Sequence, residues 1–500
     1  MIQVVWFKRD LRIMDHEPLF QAAARGPVLP LYILEPELWS QPDMSRRQYL
    51  FLTDCLHSLN SSLKKLGQEL VVQQGDVIEV LSQLHQAYGI DTLWSHQETW
   101  NNWTYQRDLR VAAWVKQQSF SWQQPPQFGV IRCLKNRDGW AAKWYTHMNH
   151  HLIPPPKALK SLDSSQFSLP TPESLGLMDD GCPRPQSGGR DEALLLLQGF
   201  LNHRGKHYTK GMSSPVTAYE CCSRLSPHFA FGTVSVREVF QVAQEQSQIL
   251  KQSNIEHKSL WSSAIRSFLG RLRWHCHFIQ KLEDQPNIEY QSMHPGYQKL
   301  RGDHFNEDYY QAWCCGLTGY PMIDACMRAL IKTGWLNFRM RAMLVSFASY
   351  HLWLDWPRFA SYLARLFVDY EPGIHYSQIQ MQSGTTGMNS IRIYNPVKQS
   401  LDQDPEGLFI KKWVPELAHL SKPMIHTPWL SPDKPISYPD PIVDETTARK
   451  QAASKLYALR RAPHHKIATD IIIKKHASRK RPQSKRSNRP SPPKQSELPF

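Results

Sequence analysis

The hydrophobic rhythm of this 500-residue chain changes partway along, and that change narrows the folds open to it. Up to about residue 130, short apolar runs alternate with stretches of helical periodicity. Gln3–Phe7, Val28–Ile33, Glu69–Gln73 and Thr92–Ser95 read as strands, while Arg46–Leu66, Val77–Tyr88 and Thr104–Gln117 read as helices. Strands alternating with helices predict a parallel sheet covered by helices, a Rossmann-like α/β domain over residues 1–130. No GxGxxG follows the first strand, so the usual dinucleotide fingerprint is missing. Pro154-Pro155-Pro156, Pro170, Pro172, Pro183, Pro185 and Gly188-Gly189 mark 131–190 as a connector draped over the surface. From Asp191 to about Ile473 helical patterns dominate, which predicts a second, all-α domain over 191–473.

Composition excludes several classes. The longest apolar runs, such as Val28 to Leu34, are far shorter than the roughly 20 residues that cross a bilayer. The first residues, MIQVVWFKRDLR, carry charges where a signal peptide is apolar. The nine cysteines include no CxxC, and Cys221-Cys222 and Cys314-Cys315 are adjacent pairs with poor metal-ligand geometry. Reduced thiols in a cytoplasmic protein are expected, with no metal site, no membrane attachment and a monomeric state. The net charge of +15 is uneven: ten Lys/Arg and two acids follow from Lys466, giving +8 in 35 residues. Residues 474–500 therefore read as a basic, disordered tail, either a nucleic-acid-seeking arm or a solubilising one.

The run TGYPMIDACMRALIKTGWLNFRMRAML, Thr318 to Leu344, holds the densest local information. Its Gly-Tyr-Pro turn precedes a helix with Met322, Ile323, Cys326, Met327, Leu330 and Ile331 at helical spacing. Gly334 ends that helix, and a second starts with Arg339 and Arg341 in its early turns. Arginines there oppose the helix dipole, so an anionic partner is expected. Elsewhere, Ser223, Arg224 and Ser226 make either an anion-binding turn or an ordinary helix cap. Asp369 and Glu371 form a carboxylate pair or answer Arg341. In LGRLRWHCHF, His275 and His277 are two apart, so a helix points them away from each other and no shared metal is expected. The mixture of Arg271, Arg273 and Trp274 suits stacking on a nucleobase or flavin, or a core with a solvated face.

These clusters occur in the order and spacing of the DNA photolyase/cryptochrome family. VVWFKRDLRIMDHEPL resembles the family's N-terminal strand and loop, and CSRLSPHFAFGTVSVRE its first flavin-binding segment. The Thr318–Leu344 run and RIYNPVKQSLDQDPEGLFIKKWVPEL resemble its last third. The resemblance implies an α/β antenna domain and an all-α domain that holds FAD. Tyr208 would approach the FAD phosphates. Cys222, Ser223, Arg224, Leu225 and Ser226 would bind the pyrophosphate, with Cys222 in place of the usual Thr. Arg341, paired with Asp369, would lie beside the isoalloxazine and favour an anionic reduced form. Tyr370 and Glu371 belong to the same acidic segment. Phe268, Trp274, His275 and Phe338 fall where the family lines the flavin and substrate cavity, and Trp356 matches the middle member of its three-Trp electron relay.

In repair members the flavin donates an electron to a pyrimidine dimer in DNA, so blue-light repair is the activity implied. The rivals are a cryptochrome-type photoreceptor and a nucleic-acid-binding flavoprotein whose light chemistry is vestigial. Several positions depart from the repair pattern. Arg271 falls where repair members usually carry Glu in the dimer pocket, and Phe338 replaces a pocket Asn, with Asn337 one residue away. The segment DYEPGIHYSQIQMQSG leaves the neighbour of flavin N5 undefined. The proximal relay position falls in Ile374–Ile379, which offers Tyr376 but no Trp, and the distal one falls near Asp303. Trp353 and Trp313 are either an alternative route or core residues. A second antenna chromophore, folate or deazaflavin, has an undefined pocket, since Thr104 stands where folate-binding members have an acid. The last six residues, QSELPF, resemble the peptides by which bacterial repair proteins dock on the sliding clamp.

Overall fold

The computed structural model describes the chain except for residues 161, 163–166, 184, 253–255, 303–304 and 478–500. Five parallel strands, β1 (Ile2–Phe7), β2 (Val28–Leu34), β3 (Val71–Gln74), β4 (Ile90–Trp94) and β5 (Ser121–Gln123), form a sheet in the order β3-β2-β1-β4-β5. Every residue of β1 and β2 is buried, which is why these strands read as unbroken apolar runs rather than alternating ones. Some elements escape the sequence reading, β5 and the first helix among them. β5 is only Ser-Trp-Gln with exposed ends, and the Glu17–Arg25 helix buries only Pro18, Leu19 and Ala22.

The connector proves to be more than a surface strap. It forms a helix, Trp140–Met148, whose Trp140, Trp144 and Met148 are buried in a core of the helical domain, with the Trp144 ring 5.3 Å from Phe240. Three large apolar side chains at helical spacing outweigh the prolines that flank them. Among the described residues no strand follows Gln123; helices run from Arg190–Asn202 to Pro463–His476, the longest being Lys258–Asp284. The last helix passes the expected tail boundary at 474, and QSELPF lies outside the described residues.

One continuous hydrophobic core crosses between the α/β and helical domains. The Arg46–Lys64 helix closes the junction. Buried Arg47 donates from Nη1 to the carbonyls of Leu330 (3.1 Å) and Leu366 (3.0 Å), and Gln48 Nε2 donates to those of Ala364 (3.0 Å) and Phe367 (3.1 Å). All four carbonyls lie in or just past the last turn or so of their helices, so the α/β domain adds side-chain donors to two helix ends of its neighbour. Among the described residues no helix is long and apolar enough to cross a membrane.

Candidate functional site

The Thr318–Leu344 run folds as its pattern predicts. Thr318 donates to Asp324 Oδ1 from its backbone N–H (2.8 Å) and hydroxyl (2.7 Å), Gly319 N–H donates to Oδ2 (3.1 Å), and Tyr438 adds its hydroxyl at 2.6 Å. This locks the turn ahead of the Pro321–Thr333 helix. Gly334, at φ 69°, ends that helix, and a Cβ there would lie 2.5 Å from Val368. The next helix is Phe338–Ser346. In its first turn Arg341 forks onto Asp369, Nη1 to Oδ1 at 3.0 Å and Nη2 to Oδ2 at 2.8 Å. Its Nε donates to Leu336 O at 2.6 Å and its guanidinium lies 4.0 Å over Phe367. Asp369 is thus the anion that the dipole argument required.

Three segments meet around this pair. Asn337 Nδ2 donates to the carbonyls of Met212 (3.1 Å) and Ser213 (2.8 Å). Arg271 reaches across from the Lys258–Asp284 helix, its Nη2 3.8 Å from Met212 Sδ and its guanidinium 6.0 Å from the Phe338 ring. Buried Tyr208 packs against Phe200 (5.4 Å) and Phe268 (6.4 Å). Trp274, one turn along from Arg271, is 40% exposed and stacks on Phe278 at 5.7 Å; Phe338 is 46% exposed. His275 points elsewhere, to Phe128 and Phe229, and burial lowers its pKa to about 4. His277 faces Trp140 instead, so the two histidines diverge as expected.

The 222–226 segment is a tight turn. Arg224 adopts φ 63°, and its guanidinium lies between the rings of Tyr219 (4.2 Å) and Trp335 (3.9 Å) while donating to Gln186 Oε1. Burial lowers its pKa to about 10. Ser223 Oγ accepts the Leu225 N–H at 3.4 Å, Leu225 is fully buried, and Ser226 opens a five-residue helix with its side exposed. The sequence reading missed Arg204, which donates to the carbonyls of Glu220 (2.9 Å), Cys222 (2.5 Å) and Ser223 (3.2 Å) and so sets the turn. Arg204 lies in a polar stretch, NHRGKH, with no periodic or motif signal to single it out. Arg224 Nη1, Asn337 Oδ1 and Arg339 Nε are buried without a hydrogen-bond partner. Two donors and an acceptor left open around Trp335 to Arg339 fit a ligand that offers both acceptor oxygens and a donor group, such as FAD.

Tyr370 and Glu371 do not join this group. The Tyr370 hydroxyl donates to Asp43 Oδ2 at 2.6 Å and its ring meets Trp100 at 5.7 Å, both in the α/β domain. A buried tyrosine needs a partner for its hydroxyl, and Asp43 supplies it. Glu371 is buried with Oε1 unpartnered; burial raises its pKa to about 8, against the opposing charge of Arg9. Trp356 is buried, donates to Ser292 Oγ at 3.1 Å and lies 6.3 Å from the Tyr376 ring. Tyr376 meets His375 at 5.1 Å, and His375 meets Phe367 at 6.3 Å, beneath Arg341. Rings thus connect Trp356 to the Arg341–Asp369 pair. Trp313 packs on Phe359 and Tyr362, and Trp353 lies under Arg301 and Lys455. The distal position at Asp303 lies outside the described residues.

At the switch point of the sheet, where the strand order turns from β1 to β4, a crevice is filled by the protein itself. Arg107 enters it and binds Glu35 (2.8 Å), Glu98 (2.5 Å) and Asp108 (2.8 Å). Arg9 lies between Trp100 (4.0 Å) and Phe231 (4.6 Å). About 20 Å³ remains, room for one water, so this crevice does not fit an aromatic antenna chromophore. Thr104 lines it and hydrogen-bonds the Asn101 carbonyl at 2.9 Å. Nearby, Asp10, His16 and His96 bring metal-type ligand atoms together. His16 Nε2 and His96 Nδ1 both meet Asp10 Oδ2, at 3.0 and 2.7 Å, and His16 Nδ1 accepts the Leu19 N–H. The three satisfy one another without an ion.

Comparison with known proteins agrees with this geometry. A family profile described as DNA photolyase matches residues 3–158, and one described as the FAD binding domain of DNA photolyase matches residues 268–458. The deoxyribodipyrimidine photo-lyase of Streptomyces griseus is 28% identical over 90% of this chain and 97% of its own length. Cryptochrome-2 of Arabidopsis thaliana is also 28% identical, over 92% of this chain and 79% of that one. The solved structure of a bacterial class III photolyase from Agrobacterium tumefaciens superposes with a TM-score of 0.79 at 26% identity, covering 92% of this chain and 98% of that one. FAD is accordingly the cofactor of the helical domain. With the parallel sheet, the helical domain and both profiles in agreement, the chain belongs to the DNA photolyase/cryptochrome family.

Proposed function

We propose that the protein repairs UV-induced pyrimidine dimers in DNA under blue light, as a deoxyribodipyrimidine photo-lyase. The observation that carries this reading is the rim of the site: Trp274 and Phe338 are large aromatic side chains left exposed, and Arg271 lies over Phe338. Exposed rings beside a guanidinium suit the faces and carbonyl edges of two adjacent, flipped-out pyrimidines of one strand. Bound, reduced FAD supplies the light-driven electron. Trp274 and Phe338 stack on the lesion, and Arg271 donates hydrogen bonds to its carbonyl oxygens while its permanent charge favours the electron-rich form. Asn337, held by two backbone carbonyls, fixes the helix start that carries Phe338 and Arg341. Arg341, held by Asp369, would supply positive charge to the bound cofactor. The His375–Tyr376–Trp356 rings are the proposed route for reducing the cofactor from outside.

The second reading is a photoreceptor without repair activity. It is favoured by Arg271 and Phe338 standing where repair members carry Glu and Asn. Oligonucleotides bearing cyclobutane or (6–4) lesions, single- and double-stranded, separate the two. Blue-light-dependent loss of lesion, absent in the dark, is expected; no loss from any substrate leaves the photoreceptor reading. The basic tail would raise DNA affinity, and its QSELPF end would engage a sliding clamp. Unchanged clamp affinity after removal of those six residues ends that last idea.

A further inference from the structure

The second half of the Lys258–Asp284 helix carries basic side chains that the chemistry above does not use. His277 and Lys281 follow one another at four-residue spacing on one face, and Gln285 is the residue that ends the helix. Arg137 reaches this face from the connector, its guanidinium 5.6 Å from the Trp140 ring, which packs 5.9 Å from His277. His476, at the end of the Pro463–His476 helix, meets Gln285 Oε1 through Nε2 at 2.7 Å. All four are enclosed: Arg137 is 3% exposed, His277 5%, Lys281 4% and His476 0%.

Lys281 and His476 are the members left without a negative partner among the described residues. Asp284 meets Arg137 Nε at 2.9 Å and accepts from Gln280, while Glu283 accepts the Thr99 hydroxyl. The Lys281 ammonium lies 5.0 Å from the Phe278 ring, with no carboxylate at ion-pair distance among the described residues. His476 Nδ1 is buried without a hydrogen-bond partner. Enclosing an unpaired ammonium is costly unless it loses its proton or gains a counter-charge.

We propose that Lys281, Arg137 and His476 form a binding site for a single tetrahedral oxyanion of the phosphate class, either inorganic phosphate or the terminal phosphate of a nucleic-acid strand. Lys281 supplies three donors around a compact charge, and Arg137 supplies a second permanent cation. His476 turns its orphan Nδ1 into a donor by taking up a proton when the anion enters. Burial, with the repulsion of Arg137, holds the free Lys281 down to about 7, the response expected of a cation that lacks its counter-ion. The Pro463–His476 helix covers the site, and the tail leaves from its end. An occupied site would therefore tie the tail's root to the helix that carries Arg271 and Trp274.

The test uses the full-length, FAD-loaded protein, titrated with inorganic phosphate against a chloride background of constant ionic strength and read by calorimetry and thermal shift. Saturable binding is expected, about tenfold weaker in Lys281→Met and in His476→Gln and unchanged in Lys65→Met, an exposed lysine of the other domain. Paired oligonucleotides with and without a 5′-phosphate identify the source. A preference for the phosphorylated strand that Lys281→Met abolishes points to strand ends, and equal binding of the two points to free phosphate. Absence of saturable phosphate binding by the wild type overturns the proposal. So does an affinity that neither variant changes. Should Lys281→Met fail to hold FAD, His476→Gln carries the same comparison.

Discussion

At the scale of single residues, Asp369 decides whether Arg341 can stay where it is. The guanidinium lies in the first turn of a helix, at the positive end of the dipole, and among the described residues Asp369 is the carboxylate that pairs with it. Asp369→Ala should destabilise the protein by about 2 kcal/mol, as loss of charge-assisted hydrogen bonds in a partly buried pair does. Chemical denaturation followed by tryptophan fluorescence measures this, and flavin absorbance after gel filtration should show FAD lost in parallel. Glu371 makes a second prediction. Burial raises its pKa from about 4.5 to about 8, so the folded state prefers the neutral carboxyl. A raised carboxyl pKa contributes stability that is complete below about 4.5 and is lost as pH rises through about 8. Glu371→Gln is neutral at all pH, so its melting temperature should gain on the wild type between pH 5 and pH 8. A constant difference across that range would show that Glu371 does not titrate there. Arg341's need for an anion was legible in the sequence because dipole and spacing are local. The roles of Arg204 and Gln186 were not, because each acts on backbone or side chains far away in the chain.

At the scale of elements, glycine and proline did most of the legible work. Gly334 separates the two helices of the Thr318–Leu344 run in a left-handed conformation, with Val368 packed where a Cβ would go. Gly334→Ala should therefore cost at least about 1 kcal/mol, from backbone strain alone, and more if Val368 cannot shift. Urea unfolding checks it; a cost near zero would mean that the turn can change conformation. Elements with strong periodicity, such as Val77–Tyr88, matched residue for residue. Those that failed had weak signals. β5 pairs with β4 along an exposed edge and needs no apolar run, and Trp140–Met148 sits among prolines that suggested a loop. The crevice at the sheet's switch point could not be read either. Its lining mixes aromatic and charged residues from separate segments, and only the convergence of Glu35, Glu98 and Asp108 on Arg107 shows that it is filled. Chromophore extraction from the purified holoprotein should accordingly yield FAD without a second pigment from that crevice.

At the scale of the whole molecule, one core joins both domains, and Arg47 and Gln48 of one cap helices of the other. The basic tail adds a long-range property that needs no fold. Residues 478–500 hold seven Lys/Arg and one acid. Deleting them should flatten the slope of log affinity against log salt for DNA by about 3 or more, with the FAD content unchanged. An unchanged slope would mark the tail as a bystander. The sequence by itself determined the division into an α/β and an all-α part, the limits of the strongest helices and the cofactor class. Each follows from periodicity, turn residues or long motifs, which are properties of neighbours along the chain. Only the tertiary structure decided that Tyr370 turns to Asp43, that rings link Trp356 to Arg341, and that buried Lys281, Arg137 and His476 come close enough to repel one another. Those outcomes depend on which distant side chains a packed core brings within a few ångströms, and no local pattern encodes that.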